Sequence, residues 1–130
     1  IEGRRVMLGR CELAGLGDRS AGSAQRDLAE LAKSRPQRPA AQRVALAHDP
    51  DTAAAFEPGF AAVTLAGHTH GGQINLPWIT DRLLAKATRG GYKRGAYTLP
   101  QTQLFVTSGI GTSHLPLRLG MPPTIDVLAL

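Results

Sequence analysis

Two short runs, Val44-Ala45-Leu46-Ala47 and Ala62-Val63-Thr64-Leu65-Ala66, are nearly apolar throughout, and each is closed by a histidine: His48 after the first, Gly67-His68 after the second. A strand that is apolar at successive residues needs cover on both faces, which is the environment of a parallel sheet sheathed by helices. Between the runs, Asp49-Pro50 has the form of an N-cap followed by proline at the first helical position. Ala53-Ala54-Ala55-Phe56 continues a short helix, and Pro58-Gly59 breaks it. The stretch from residue 44 to 68 thus reads as a strand-helix-strand unit, and the fold class as α/β.

The flanking segments fit that class. Val6-Met7-Leu8 and Cys11 to Leu16 are short apolar runs around Gly9-Arg10, a strand pair joined by a tight turn. A helix is expected next, with Ser23 as N-cap and Leu28, Leu31 and Ala32 on the inward face, ended by Arg35-Pro36-Gln37-Arg38-Pro39. From Gly71 to Tyr97 turn residues dominate, so mostly loop is expected, with one helical turn at Leu83-Leu84-Ala85. Gln103 to Thr107 reads as a strand, Ser108 to Ser113 as a glycine-rich turn, and Thr124 to Leu130 as a final strand. Trp78, Tyr92 and Tyr97 would line an entrance or cover the sheet edge.

A chain of 130 residues makes one domain at most, residues 1–130 being read as a portion of one, with no internal repeat. Its 42% hydrophobic and 19% charged residues are those of a folded globular chain rather than a disordered tail. Fifteen Lys+Arg against ten Asp+Glu give a net charge of +5. The basic residues are mostly scattered single arginines without interleaved aromatics, so they read as a solvated face, and no specific nucleic acid is expected. A single cysteine, Cys11, excludes an internal disulfide and reads as a small core residue. No apolar run approaches the roughly 18 residues of a transmembrane helix. Ile1-Glu2-Gly3-Arg4 admits two readings, the recognition tetrapeptide of a clotting protease or the inside of a natural strand, the sequence then being the downstream piece of a longer chain. The compartment is left open, cytoplasm or membrane surface.

In an open α/β sheet, functional groups gather beyond the carboxyl ends of the strands. His48 and His68 both fall there, and His70 follows two residues later. Three imidazoles delivered to one rim suit Zn, Mn, Fe or Co. Gly67, Gly71 and Gly72 around them would allow sharp turns at positive φ and close approach to a metal or anion. Gln73 would hydrogen-bond a histidine or phosphate, or simply pack the loop; Arg118 would face an anionic substrate. His114 reads as a surface residue, and Asp18 as structural.

Gly67-His68-Thr69-His70-Gly71-Gly72-Gln73-Ile74, preceded by Leu46-Ala47-His48-Asp49-Pro50-Asp51 and followed by Val106 to Ser113, Pro116-Leu117-Arg118 and Pro122-Pro123, closely resembles the C-terminal half of calcineurin-like metallophosphoesterases, in particular their bacterial small phosphohydrolases. The resemblance implies the C-terminal half of a four-layer α/β/β/α sandwich with mixed sheets and two divalent transition metals (Mn, Zn, Fe or Co). By the same resemblance His48 and His68 bind one metal and His70 the other. Two such metals roughly 3.5–4 Å apart activate a water and clamp the phosphate during in-line attack. The implied partner is a small-molecule or lipid-linked phosphoester, with membrane association carried by an upstream segment.

The departures are as informative. The family's Asp-x-His, Gly-Asp-x-x-Asp and Gly-Asn-His-Asp/Glu motifs are missing, and Gly17-Asp18 lacks the second carboxylate. The bridging carboxylate and catalytic histidine are therefore expected upstream, and the isolated chain is expected to be inactive. The rival readings are a non-catalytic metal- or phosphate-binding module and a nucleic-acid binder resting on charge alone.

Overall fold

A computed structural model describes residues 1–76 and 78–129, apart from the side chains of residues 83–85 and 87. Strand β1 (Arg5–Leu8) turns at Gly9, which sits at a φ of 57°, into β2 (Cys11–Gly15), and the two pair antiparallel. Helix α1 (Ser23–Lys33) then leads to β3 (Arg43–Ala47), which lies parallel to β2. A 3₁₀ helix, Pro50–Ala55, connects β3 to β4 (Val63–Ala66), again parallel. After α2 (Ile79–Ala87), β5 (Gly95–Thr98) and β6 (Gln103–Val106) form an antiparallel pair whose β6 lies parallel to β4. One mixed sheet results, in the order β1-β2-β3-β4-β6-β5. The expected α/β class with a mixed sheet is what forms.

The register sets the two faces of this sheet. Ala14, Ala45, Thr64 and Leu104 stand side by side and are all fully buried, as are Ala66 and Val106 one step along. Leu31 of α1, Phe56 and Ala53 close over them to make the core. On the opposite face Leu13, Leu46, Leu65 and Phe105 are only half-buried. That face is apolar yet thinly covered, as in a sheet that forms one half of a sandwich.

Several local expectations change. Helix α1 begins at Ser23 rather than being capped by it: Gly22 is the N-cap, in the left-handed region at φ 72°, and no side chain caps the helix. The Ser23 hydroxyl instead donates to the Asp18 carbonyl at 2.9 Å. The inward stripe is Ala24, Leu28 and Leu31, while Ala32 is exposed, because the seven-residue span from 24 to 31 closes two helical turns. Cys11 is half-buried, not a core residue. The expected loop from Gly71 to Tyr97 contains a nine-residue helix and ends in a strand. Residues 124–129 form no strand; Ile125 and Val127 are 83% and 92% exposed, and Leu130 lies outside the described residues. The tail is tied instead by the Thr107 hydroxyl donating to Asp126 at 2.5 Å and by Thr124 N–H donating to the Gly109 carbonyl at 3.0 Å.

Candidate metal centre

The parallel strands β2, β3 and β4 each end in a polar group: Asp18 three residues beyond β2, His48 directly after β3, and His68 two residues beyond β4. The backbone ties the two histidine loops, since Gly67 N–H donates to the His48 carbonyl at 3.1 Å. Above that tie the rings meet. His68 Nδ1 and His48 Nε2 lie 3.0 Å apart, with ring centroids 4.8 Å apart and planes at 72°. One nitrogen donates and the other accepts, so both rings are held pointing at each other.

The loop that carries His68 and His70 is sharply wound. Gly71 and Gly72 take positive φ (62° and 88°), as expected of them. Gly67 does not; the histidines take that role, His68 at φ 67° and His70 at 51°, followed by Gln73 at 42°. Non-glycine residues held there cost of order 1 kcal/mol or more each, and such strain persists only where surrounding contacts over-determine it. Those contacts are visible. The Thr69 hydroxyl donates to the Lys93 carbonyl at 2.7 Å, Gly72 N–H to Thr69 at 2.7 Å and Gln73 N–H to His70 at 3.0 Å. Gly71 packs so closely that an added Cβ would lie 2.9 Å from Ser108 Cβ.

Gln73 and Arg118 hold this loop to its neighbours. The buried Gln73 amide donates to the carbonyls of Ser113, Leu115 and Leu117 and accepts from Ser113 N–H at 2.6 Å. Of the two roles open for Gln73, loop packing is the one its contacts make. The Arg118 guanidinium donates to the carbonyls of His70, Ser108, Gly111 and Met121, so its donors face backbone. Its link to His70 was invisible in sequence, 48 residues away.

His70 turns toward Gly111 rather than into the His48–His68 pair. Burial holds its imidazole pKa below the usual value, opposed by a backbone hydrogen bond with Gly111, and the nearby Arg118 adds to the lowering. Neutral imidazole is the form that binds metal. Asp18 is shifted in the same direction, which for a carboxyl favours the charged form. The Ser20 hydroxyl and N–H, both donating to Oδ1 at 2.8 Å, hold its carboxyl below the ordinary value, and the charges of His48 and His68 add to the effect. Asp18 therefore belongs to the same electrostatic neighbourhood; the signal that could have found it is its place beyond the carboxyl end of a strand, the rule that located the histidines.

Beside the histidines opens a hollow of about 350 Å³, walled by His68, His70, Gln73, Thr80, His114 and Leu115. His114 is exposed at its rim and is held by Ser113 Oγ at 2.8 Å. In donor chemistry the facing imidazoles fit one metal ion, and the chain's own residues stop short of a closed site. Among the described residues, no group of three or more His, Cys, Asp or Glu side chains is placed to hold an ion.

Comparison with known proteins gives the family. No family model and no solved structure matches the chain. The metallophosphoesterase YkuE of Bacillus subtilis is 36% identical over 87 residues, 67% of this chain and 30% of its own length. The metallophosphoesterase Cj0846 of Campylobacter jejuni is 35% identical over 127 residues, 95% of this chain and 32% of its own. The phosphodiesterase YaeI of Escherichia coli is 30% identical over 119 residues, 92% of this chain and 41% of its own. The chain thus spans roughly a third of the length of the curated relatives it matches, mostly their C-terminal portion. Over the stretch that it spans, the chain belongs to the metallophosphoesterase family.

Proposed function

We propose that this chain serves a metal-dependent phosphoester hydrolase, with His48, His68 and His70 as imidazole ligands of a dinuclear centre of the calcineurin-like type. The observation that carries the reading is the meeting of His48 and His68 at 3.0 Å beyond two adjacent parallel strands. Two divalent transition metals, when bound, supply Lewis acidity that draws charge from a phosphoester and lowers the pKa of water. The carboxylate ligands and the catalytic histidine belong, in this reading, to the portion of the longer relatives that the chain does not span.

The chain's own residues then have distinct parts. His48 and His68 present imidazole nitrogens at the ends of two adjacent parallel strands. Burial keeps His70 unprotonated, and so available as a ligand, to lower pH than an exposed histidine. Gln73 and Arg118 act as positioning residues, fixing the loop through backbone carbonyls. The hollow beside them, with Thr80 and Leu115 in its wall, accommodates the organic part of a small-molecule or lipid-linked phosphoester.

The test uses the full-length protein loaded with Mn or Zn and a chromogenic phosphodiester. Cleavage is expected, and His68→Ala should reduce kcat/KM by about a hundredfold or more, beyond what loss of an outer-shell contact causes. No cleavage with Mn, Zn, Fe or Co, or full activity in His68→Ala, would overturn the proposal. Tight binding of a single metal without turnover would favour the non-catalytic module instead.

A further inference from the structure

The apolar and basic groups around α2 have no part in the histidine site. Trp78, whose carbonyl accepts from Arg82 N–H at 3.3 Å at the start of the helix, is 82% exposed, and Ile79 is 58% exposed. Leu76 just before them is 41% exposed. Residues 73–75 run beside 117–120 through Leu119 N–H to the Gln73 carbonyl and Asn75 N–H to the Leu119 carbonyl. This brings in Leu117 and Leu119, 48% and 54% exposed. On the helix itself Ile79, Arg82 and Lys86 fall at i, i+3 and i+7, one exposed stripe that is apolar at its start and basic thereafter. Arg82, Lys86 and the exposed Arg89 make no salt bridge among the described residues, and the one acid of the helix, Asp81, is already paired with Lys93 at 2.9 Å.

From this arrangement we infer that the Trp78–Lys86 segment is a membrane-docking surface, and that its partner is the anionic headgroup layer of a lipid bilayer. An exposed tryptophan beside aliphatic side chains suits the headgroup boundary, where an amphipathic ring sits with one edge apolar and one wet. Unpaired Arg and Lys one turn further along meet the negative surface potential of anionic lipid. A second copy of the chain fits poorly, because the same basic stripe would face itself on a molecule of net charge +5. Nucleic acid fits poorly as well, since a lone exposed tryptophan is not a stacking platform. Among the described residues no helix is long and apolar enough to cross a membrane. Thr80 of the same helix lines the histidine hollow, which puts the hollow next to the docked surface.

Trp78 is the only tryptophan among these 130 residues, and Trp78→Phe identifies the part of the emission that comes from this surface. The full chain is titrated with vesicles of phosphatidylcholine and with vesicles also containing phosphatidylglycerol. With the anionic vesicles, the emission should shift to the blue and brighten, and high salt should reverse the change. Arg82→Gln with Lys86→Gln should weaken partition roughly thirtyfold, taking about 1 kcal/mol per basic residue. Ile79→Asp should weaken it as well, with circular dichroism and the urea midpoint unchanged, since the residue is exposed. Unchanged emission with anionic vesicles would overturn the inference. So would an equal shift on neutral vesicles that is insensitive to the basic substitutions, or a concentration-dependent blue shift of the free chain, which would mean that a second copy covers Trp78. None of these readouts depends on phosphoester hydrolysis.

Discussion

The histidine loop is built from side chains that correct one another's strain. His68 and His70 both lie at positive φ, and the groups that keep them there are the Gln73 amide, donating out of the loop to carbonyls of the chain after β6, and the Arg118 guanidinium, donating back to the His70 carbonyl. Gln73→Leu is close to isosteric and removes four hydrogen bonds at a buried position, so it should cost about 2–4 kcal/mol, read from the urea midpoint. Arg118→Lys should not rescue the loss seen in Arg118→Ala, because an ammonium lacks the planar fork that spans carbonyls in several directions. Equal stability of the Lys variant and the parent would show that charge alone suffices. Asp18 gives a pH test. Its folded pKa lies below the unfolded value of about 3.9, so the folded state binds fewer protons near that pH. The stabilisation is present above pH ~4 and is lost as pH falls through the folded pKa. Ser20→Ala should raise the Asp18 pKa in an NMR titration, and an unmoved titration would contradict the Ser20 contacts as its cause.

Among the elements, the turn after β3 follows its local sequence signal, while the contacts that fix it also come from distant residues. Asp49 caps the 3₁₀ helix as expected, accepting from Asp51 N–H at 2.8 Å, but its other oxygen takes Arg19 at 2.7 Å from 30 residues away. Strand β2 offers a similar case. Glu12, fully buried, accepts from Arg5 at 2.9 Å and from the backbone N–H groups of Gln37 (2.5 Å) and Arg38 (2.8 Å). It thereby anchors the Pro-rich connection to the sheet. Arg5→Ala leaves that carboxylate short of its cation, and should cost about 3–5 kcal/mol of stability in denaturant titration. A loss under about 1 kcal/mol would mean that the two backbone donors suffice. The segment from residue 124 to 129 has the composition of a strand and forms none; it meets the chain at Thr107, just beyond β6, a strand with no open side. Beside β6 one edge is taken by β4 and the other by β5.

For the molecule as a whole, the two faces of the sheet should differ in what they contribute. Leu104 is 1% exposed on the covered face, and Leu104→Ala should cost about 2–5 kcal/mol. Phe105, its half-buried neighbour, is the larger side chain, yet Phe105→Ala should cost less, because part of its surface is already in contact with water. Urea titration of both variants decides this; a greater loss at Phe105 would show that the second face is covered in solution. The strand-helix-strand unit, the parallel pairing of β3 with β4, and the delivery of His48 and His68 to one rim were legible in the sequence by itself, because short-range periodicity and breaker residues dictate them. Only the tertiary structure decided which nitrogens meet, that His70 turns toward Gly111, that Gln73 and Arg118 bind backbone, and that Asp18 shares the field of the histidines. Directions of side chains and the partners of buried polar groups depend on segments tens of residues apart. No local pattern encodes them, and they exist only once the sheet has brought those segments together.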